Sequence, residues 1–304
     1  MKSQSVSLIR SDHHFKIGPF LLRLFTRILV IACVLTVLFP LVWYFYNSFK
    51  SSGDYLKSRW AWPLIWHPEN YKNAIESSVL RDWNGNEVSL MKLLANTLFT
   101  SILGSALLLL FSSSTAFILC KYRFPGRQFF KTFYLIAMVI PSILLIVPLY
   151  TQLNSISSWF KNNLIVVGII YAIQSLPVNV FLLTRFVDPI DDALLEAARL
   201  DGANEFGIFF RVIVPTIKPM LIFIGLTSFM ANFNEYTVAL LFLQDPATYT
   251  LSLGLQQMQV QGATYGEYGM VFAGFTMTTS IMIILYLIFQ KQILEGADMD
   301  SAVK

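Results

Sequence analysis

The chain has 304 residues, of which 55% are apolar and only 13% charged, with a net charge of +4 and a mean hydropathy of +0.59. Soluble domains carry about 25% charged residues, so there is too little charge here to solvate globular surfaces, and the basic excess is too mild for a polyanionic partner. An ordinary cytosolic enzyme, a disordered chain and a nucleic-acid binder are excluded, and lipid is the expected main solvent.

A hydrocarbon core of roughly 30 Å is crossed by about 20 apolar residues in a helix. Six stretches reach that length: residues 28–49, 93–120, 132–153, 164–183, 219–243 and 268–290. The expectation is an all-α membrane protein with six transmembrane helices. An even number of crossings puts both termini on one side.

The first 27 residues form a basic tail with Lys2, Arg10, Lys16, Arg23 and Arg27. His13 and His14 beside Asp12 read as solvated, because the remaining His67 lies across the membrane, so no metal site is expected. The first span is much longer than the 7–15 apolar residues of a signal peptide, and no A-x-A-like site follows. It reads as an uncleaved anchor, and residues 28–92 as that anchor plus an exterior segment. Residues 93–290 form the core transmembrane bundle, with 186–216 as a loop within it, and 291–304 a second tail.

Orientation follows the Lys/Arg bias of short loops. The 121–131 loop holds Lys121, Arg123, Arg127 and Lys131 without an acid, while 154–163 holds only Lys161 and 244–267 neither Lys nor Arg. Both termini, 121–131 and 184–218 are therefore expected in the cytoplasm. All six tryptophans (43, 60, 62, 66, 83 and 159) fall on the outer half of this arrangement, as interfacial anchors or exterior contacts. Cys33 and Cys120 lie in apolar runs and read as small buried hydrophobes. Pro40, Pro141, Pro148 and Pro177 interrupt three spans and predict kinks.

The segment 186–216 is too patterned for a connector. Asp191 and Asp192 suit the positive end of a helix dipole, Glu196, Ala197 and Ala198 are strong helix formers, and Gly202 sits where a left-handed cap would end the helix. A second short helix is expected from Asn204 or Glu205 to Ile213, stopped by Pro215. Leu194, Ala197, Ala198 and Asp201 fall on one face, a stripe that lets another surface approach closely. The alternative, an amphipathic hairpin on lipid headgroups, is disfavoured because the first helix is acidic.

Within the six spans Glu235 is the single formal charge. It follows Pro219 by 16 residues, roughly 24 Å along a helix, in the outer half of the membrane. Asn232 shares its face, while Asn234 and Tyr236 point around the helix. Two readings stay open: a polar lining or outer gate for a hydroxyl-rich solute, or a hydrogen-bonded lock to a neighbouring helix or subunit. Gln174 in the fourth span reads as a packing hydrogen bond. A proton relay would need more than one titratable group at membrane depth.

Glu196-Ala197-Ala198, three residues, Gly202, nine residues and Val212-x-Val214-Pro215 resemble the E-A-A-x3-G-x9-I-x-L-P signature of ABC-importer permease subunits. Asp201-Gly202-Ala203 fits as well, as do Trp66-His-Pro-Glu-Asn-Tyr71 and Asn232-Phe-Asn-Glu-Tyr236. The chain is most similar to the carbohydrate-uptake branch, to the second, six-span permease of maltose-type importers. The resemblance implies a type I importer architecture and a docking knob of Glu196, Ala197, Ala198, Asp201, Gly202 and Pro215 for a cytoplasmic ATPase. It also implies a second permease subunit in a heterodimer, two ATPase subunits that use ATP and Mg, and an extracytoplasmic solute-binding protein facing 244–267, which otherwise reads as a solvated linker. The setting implied is a prokaryotic inner or plasma membrane.

No G-x-x-x-x-G-K-[ST] phosphate loop occurs, so no cofactor is expected on this chain and the power must come from elsewhere. Two other classes compete. A self-contained channel or secondary carrier would work alone and usually shows more intramembrane charge or repeat symmetry. A membrane-embedded enzyme lacks any nucleophile–base pair, so no catalytic residue is named.

Overall fold

The computed structural model describes residues 17–76 and 80–302. The histidine pair and the lysines at 2 and 16 lie outside them. The described chain is nearly all helix: α1 Ile17–Asn47, α2 Ser52–Lys57, α3 Glu69–Glu76, α4 Leu90–Lys121, α5 Arg127–Val139, α6 Ser142–Ile156, α7 Leu164–Val187, α8 Asp192–Leu200, α9 Glu205–Ile208, α10 Val214–Thr216, α11 Lys218–Phe233, α12 Thr237–Phe242, α13 Leu251–Tyr265 and α14 Tyr268–Ala302. The one β pairing among the described residues is a bridge between Arg81 and Glu87.

Four helices (in α1, α4, α7 and α14) are long and apolar enough to cross a membrane, and the number rises to six if two bent pairs each count as one span. Four expectations need correction here. The third span is not continuous: α5 and α6 meet at 98°. Pro141 has no N–H to donate, and Ile140 before it is pushed into an extended conformation, φ −76° and ψ 119°, which ends the helix. Pro40, Pro148 and Pro177 instead lie inside α1, α6 and α7 without ending them.

The fifth span is not continuous to residue 243 either, because α11 stops at Phe233 and the chain restarts as α12. Nor does Pro215 stop the helix before it. The chain runs from α9 through a π turn at Phe209–Ile213 into α10, and breaks only at Ile217, where α11 leaves at 80°. Pro215 occupies the opening of α10, where its missing donor costs nothing. The stretch 244–267 is no solvated linker: it folds into α13, which buries Leu251, Leu253, Leu255 and Met258 against the bundle.

The bundle is organised around α4 and α7, the most extensively packed helix pair, with α11 and α14 completing it. A core cluster at one end joins Leu108 and Phe117 of α4, Leu183 and Val187 of α7, Leu195 of α8, Ile208 of α9, Ile213 and Met220. Two further clusters fill the other end, one centred on Val167, Tyr171 and Phe242, the other on Leu93, Phe233 and Leu255. By contrast, α1 presents an apolar surface with no buried residue in its hydrophobic stretch and packs chiefly along α14.

Candidate functional site

The segment between α7 and α11 folds as an elbow whose local chemistry is fully accounted for. Asp191 caps α8, its carboxylate accepting the Ala193 N–H at 2.9 Å. At the other end the N–H of Gly202 donates to the Arg199 carbonyl and that of Ala203 to the Ala198 carbonyl, each at 3.0 Å. This double closure needs a left-handed residue, and Gly202 supplies it with φ +83°. Asn204 then caps α9 by accepting the Gly207 N–H at 2.8 Å.

Two side chains root the elbow. Leu195, 2% exposed, and the fully buried Ile208 enter the core cluster. Burying a Leu or Ile from water stabilises by about 1.5–3 kcal/mol each. Glu196, Ala197, Asp201 and Gly202 stay exposed around them, Ala198 is half-buried against the cluster, and Pro215 is exposed at the distal end. The elbow is thus a rigid projection whose small residues face outward.

Polar contacts fasten the same elbow to α4. Lys121, almost wholly buried at its side chain, donates from Nζ to the Asp188 carbonyl at 3.1 Å, to the Ile190 carbonyl, and to Asp192 Oδ1 at 2.9 Å. Arg127 donates to the Leu119 and Cys120 carbonyls at 2.8 and 3.0 Å, closing α4 itself. Tyr122 donates its hydroxyl to Glu205, which also receives Arg199 Nε at 3.1 Å. Hydrogen bonds from Arg199 and Tyr122 hold the Glu205 carboxyl below its ordinary range, and Lys121 does the same for Asp192. The Lys/Arg bias marks 121 and 127 as charges only. Their role as caps depends on partners that lie 60 or more residues away for Lys121, so the sequence carries no signal for it.

At the far end the chain breaks between α11 and α12. Asn232 is buried and turned toward α4: its Nδ2 donates to Ser105 Oγ at 3.3 Å and Ser228 Oγ at 3.4 Å, while Ser105 donates to Ser228 at 3.3 Å. Gly104 allows this approach, since a Cβ there would come within 3.0 Å of Asn232 Nδ2 and of Tyr171 Cβ. Glu235 lies in the break itself. Its carboxylate accepts the Val238 N–H at 2.8 Å and the Ala239 N–H at 3.3 Å, and so caps α12. The buried Tyr171 hydroxyl lies beside it without a partner of ordinary hydrogen-bond geometry. Asn234 is exposed and bonds back to the Met230 carbonyl at 2.8 Å, and Tyr236 is half-buried against α12's cluster.

Glu196, Ala197, Ala198, Asp201 and Gly202 are therefore brought together on one projection, with Pro215 set apart at its far end. Asn232 and Glu235 do not share a face, because the helix ends between them. Gln174 is half-buried on α7 and makes no hydrogen bond within the described chain. The described residues contain no cluster of metal-ligating side chains.

The arrangement has close counterparts. The chain is 29% identical over 263 residues to the probable ABC transporter permease protein YurM of Bacillus subtilis, covering 86% of this chain and 83% of that one. It is 27% identical over 265 residues to the diacetylchitobiose uptake system permease protein NgcG of Streptomyces coelicolor, covering 87% and 84%. It is also 27% identical over 292 residues to the galactooligosaccharides transport system permease protein GanQ of Bacillus subtilis, covering 92% and 95%. Among solved structures, a chain of a bacterial ABC transporter involved in importing the acidic polysaccharide alginate superposes with a TM-score of 0.72 at 22% identity, over 94% of this chain and 99% of that one, which establishes a shared fold. Residues 109–293, from mid-α4 through the elbow and into α14, match the sequence pattern of the binding-protein-dependent transport system inner membrane component. The protein is a multi-pass membrane protein that belongs to this family of transport permeases.

Proposed function

We propose that this chain forms half of the pathway of an ATP-driven importer for a sugar or oligosaccharide and receives its driving force through the elbow at residues 191–213. It crosses a prokaryotic inner or plasma membrane six times, with α5 and α6 as one crossing and α11 continued by α12 as another, and with both termini and the elbow in the cytoplasm. A second permease subunit supplies the other half. Two ATPase subunits hydrolyse ATP with Mg, and an extracytoplasmic solute-binding protein delivers the solute. The names of the relatives support the carbohydrate class, since two of them are uptake permeases for diacetylchitobiose and galactooligosaccharides.

The observation that carries this reading is the way the elbow is built: exposed Glu196, Ala197 and Gly202 on a projection rooted by Leu195 and Ile208 in the bundle core. Motion imposed on those exposed residues reaches α4, α7 and α11 without being absorbed in a loose joint. Closure of two ATPase subunits would then swing the bundle as a rigid body between inward and outward access. The test is co-purification of the tagged chain with its genetic neighbours in mild detergent. Co-elution of an ATPase subunit, lost in a Glu196→Ala/Gly202→Asp double variant, is the expected result. Transport of solute by the lone chain in vesicles, or an elbow accessible only from outside cells, would overturn it.

A further inference from the structure

Residues 58–67, Ser-Arg-Trp-Ala-Trp-Pro-Leu-Ile-Trp-His, join α2 to α3 at the C-terminal end of α1. A loop of this composition exposes a great deal of apolar surface: Trp60 is 68% exposed, Trp62 65%, Leu64 84%, Ile65 66% and Trp66 52%. It does not project away from the bundle. Its rings lie along α1, with Trp66 4.8 Å from Phe49, Trp62 4.8 Å from Tyr46, and Trp60 5.8 Å from Trp43 and stacked at 6.1 Å on Phe39. Phe39 precedes the last residue of α1 by two turns, so the loop returns roughly 12 Å along the helix axis.

Irregular backbone is costly at that depth unless its polar groups are satisfied by protein, and this loop is tied at its two ends to α1 and to the residues that directly follow it. Tyr46 donates its hydroxyl to the Trp60 carbonyl at 3.3 Å, and Lys50 donates Nζ to the Ser58 carbonyl at 3.0 Å. The far end is tied by the His67 N–H, which donates to the Phe49 carbonyl at 2.9 Å. Lys50 is 1% exposed, an unusual burial for a lysine, because it lies under the loop with its ammonium 5.1 Å from the Tyr46 ring centroid. The side chains left facing outward are indoles, leucine and isoleucine, with Arg59 at the margin. That pattern of aromatic rings and a flanking base is the one that settles at the glycerol and upper acyl region of a bilayer.

We propose that residues 60–66 form a wedge that enters the leaflet at the C-terminal end of α1 and seats the outer end of that helix against phospholipid. Tyr46 and Lys50 hold it in place by donating to the Trp60 carbonyl and to the Ser58 carbonyl just before it. The inference rests on α1 being a membrane span, and the test separates the two. In a variant lacking Cys33 and Cys120, a single cysteine is placed at Ile65 and labelled with an environment-sensitive fluorophore, and the assembled transporter is put in nanodiscs. Matching labels at Leu35 and Val37, on opposite sides of α1, report the span. Loss of emission at 65 with doxyl lipids, greater when the doxyl group lies near the headgroup end of the acyl chain than near its terminus, is the expected result. Quenching at 65 by aqueous iodide, or protection from both quenchers through a partner subunit, while 35 or 37 responds to lipid, would overturn the wedge alone. No lipid quenching at 35, 37 or 65 would overturn the span and the wedge together.

Discussion

Lys121 closes α4 and Asp192 opens α8, and the two meet at 2.9 Å although 71 residues separate them. The same ammonium donates to two carbonyls of the turn that follows α7. One side chain therefore ties the end of the central helix pair to the first residue of the elbow.

The value of Lys121 lies in the carbonyls more than in the ion pair. Asp192 is 77% exposed at its side chain, and exposed pairs contribute about 0–1 kcal/mol. The carbonyls of Asp188 and Ile190 lose their donor in Lys121→Met, at a cost of about 1–3 kcal/mol for a group left unsatisfied. Thermal unfolding in detergent should show a clear drop for Lys121→Met and little for Asp192→Asn. Equal drops would mean that the ion pair dominates.

The elbow should be insensitive to pH through the physiological range. Glu205 and Asp192 have carboxyl pKa values depressed by their cationic and hydroxyl partners. A depressed carboxylate stabilises the folded form above its unfolded pKa, about 4, and that contribution disappears as pH falls through the lower folded value. Hydrogen exchange of 191–208, corrected for intrinsic rates, should stay constant from pH 8 to about 5 and rise only below about 4. Loosening near neutrality would contradict the assignment.

Gly202 offers a substitution that separates folding from coupling. Nothing lies within 4 Å of a Cβ built there, so its requirement is conformational: φ is +83°. An alanine costs roughly 1–2 kcal/mol in that region, and an aspartate adds charge beside Asp201. Gly202→Asp should insert and express normally yet lose ATP-driven uptake, with Gly202→Ala intermediate. Full uptake by the aspartate variant would remove the elbow from the coupling path.

Glu235 distinguishes a cap from a solute contact. As a cap it offers one oxygen to the Val238 N–H at 2.8 Å and the other to the Ala239 N–H at 3.3 Å, and the single amide oxygen of glutamine still accepts the shorter of the two. Glu235→Gln should keep most uptake, whereas Glu235→Ala leaves two donors unmet and should destabilise the protein by about 1–3 kcal/mol in thermal unfolding. Abolition of uptake by Glu235→Gln, with unfolding unchanged, would instead make the charge part of the solute pathway.

Much of the elbow is legible locally. Asp191, Asn204 and Gly202 act through hydrogen bonds that span five residues or fewer, so their roles follow from residue type and spacing. The same holds for the long apolar runs of α4, α7 and α14. The prolines are less legible. Pro141 divides a span and Pro148 does not, because α5 packs on α7 while α6 packs on α12, and each half has its own partner. Likewise α13 hides in a polar stretch, since Leu251 and Leu255 gain meaning only from the α4 surface that covers them, and Leu253 from the cluster of α7 and α12.

The sequence by itself determined which runs are long and apolar enough to cross a membrane, where the elbow's helices begin and turn, and the family, because those depend on composition, chain length and contacts within one turn. The tertiary structure decided that Asn232 locks α11 to α4, that Glu235 caps a broken span, that Lys121 holds the elbow, and that Trp60 lies back along α1. The contacts of Asn232, Lys121 and Trp60 pair residues distant in the chain, whose proximity arises only when helices pack and buried polar groups must find partners, while Glu235 caps locally only because the helix breaks beside it.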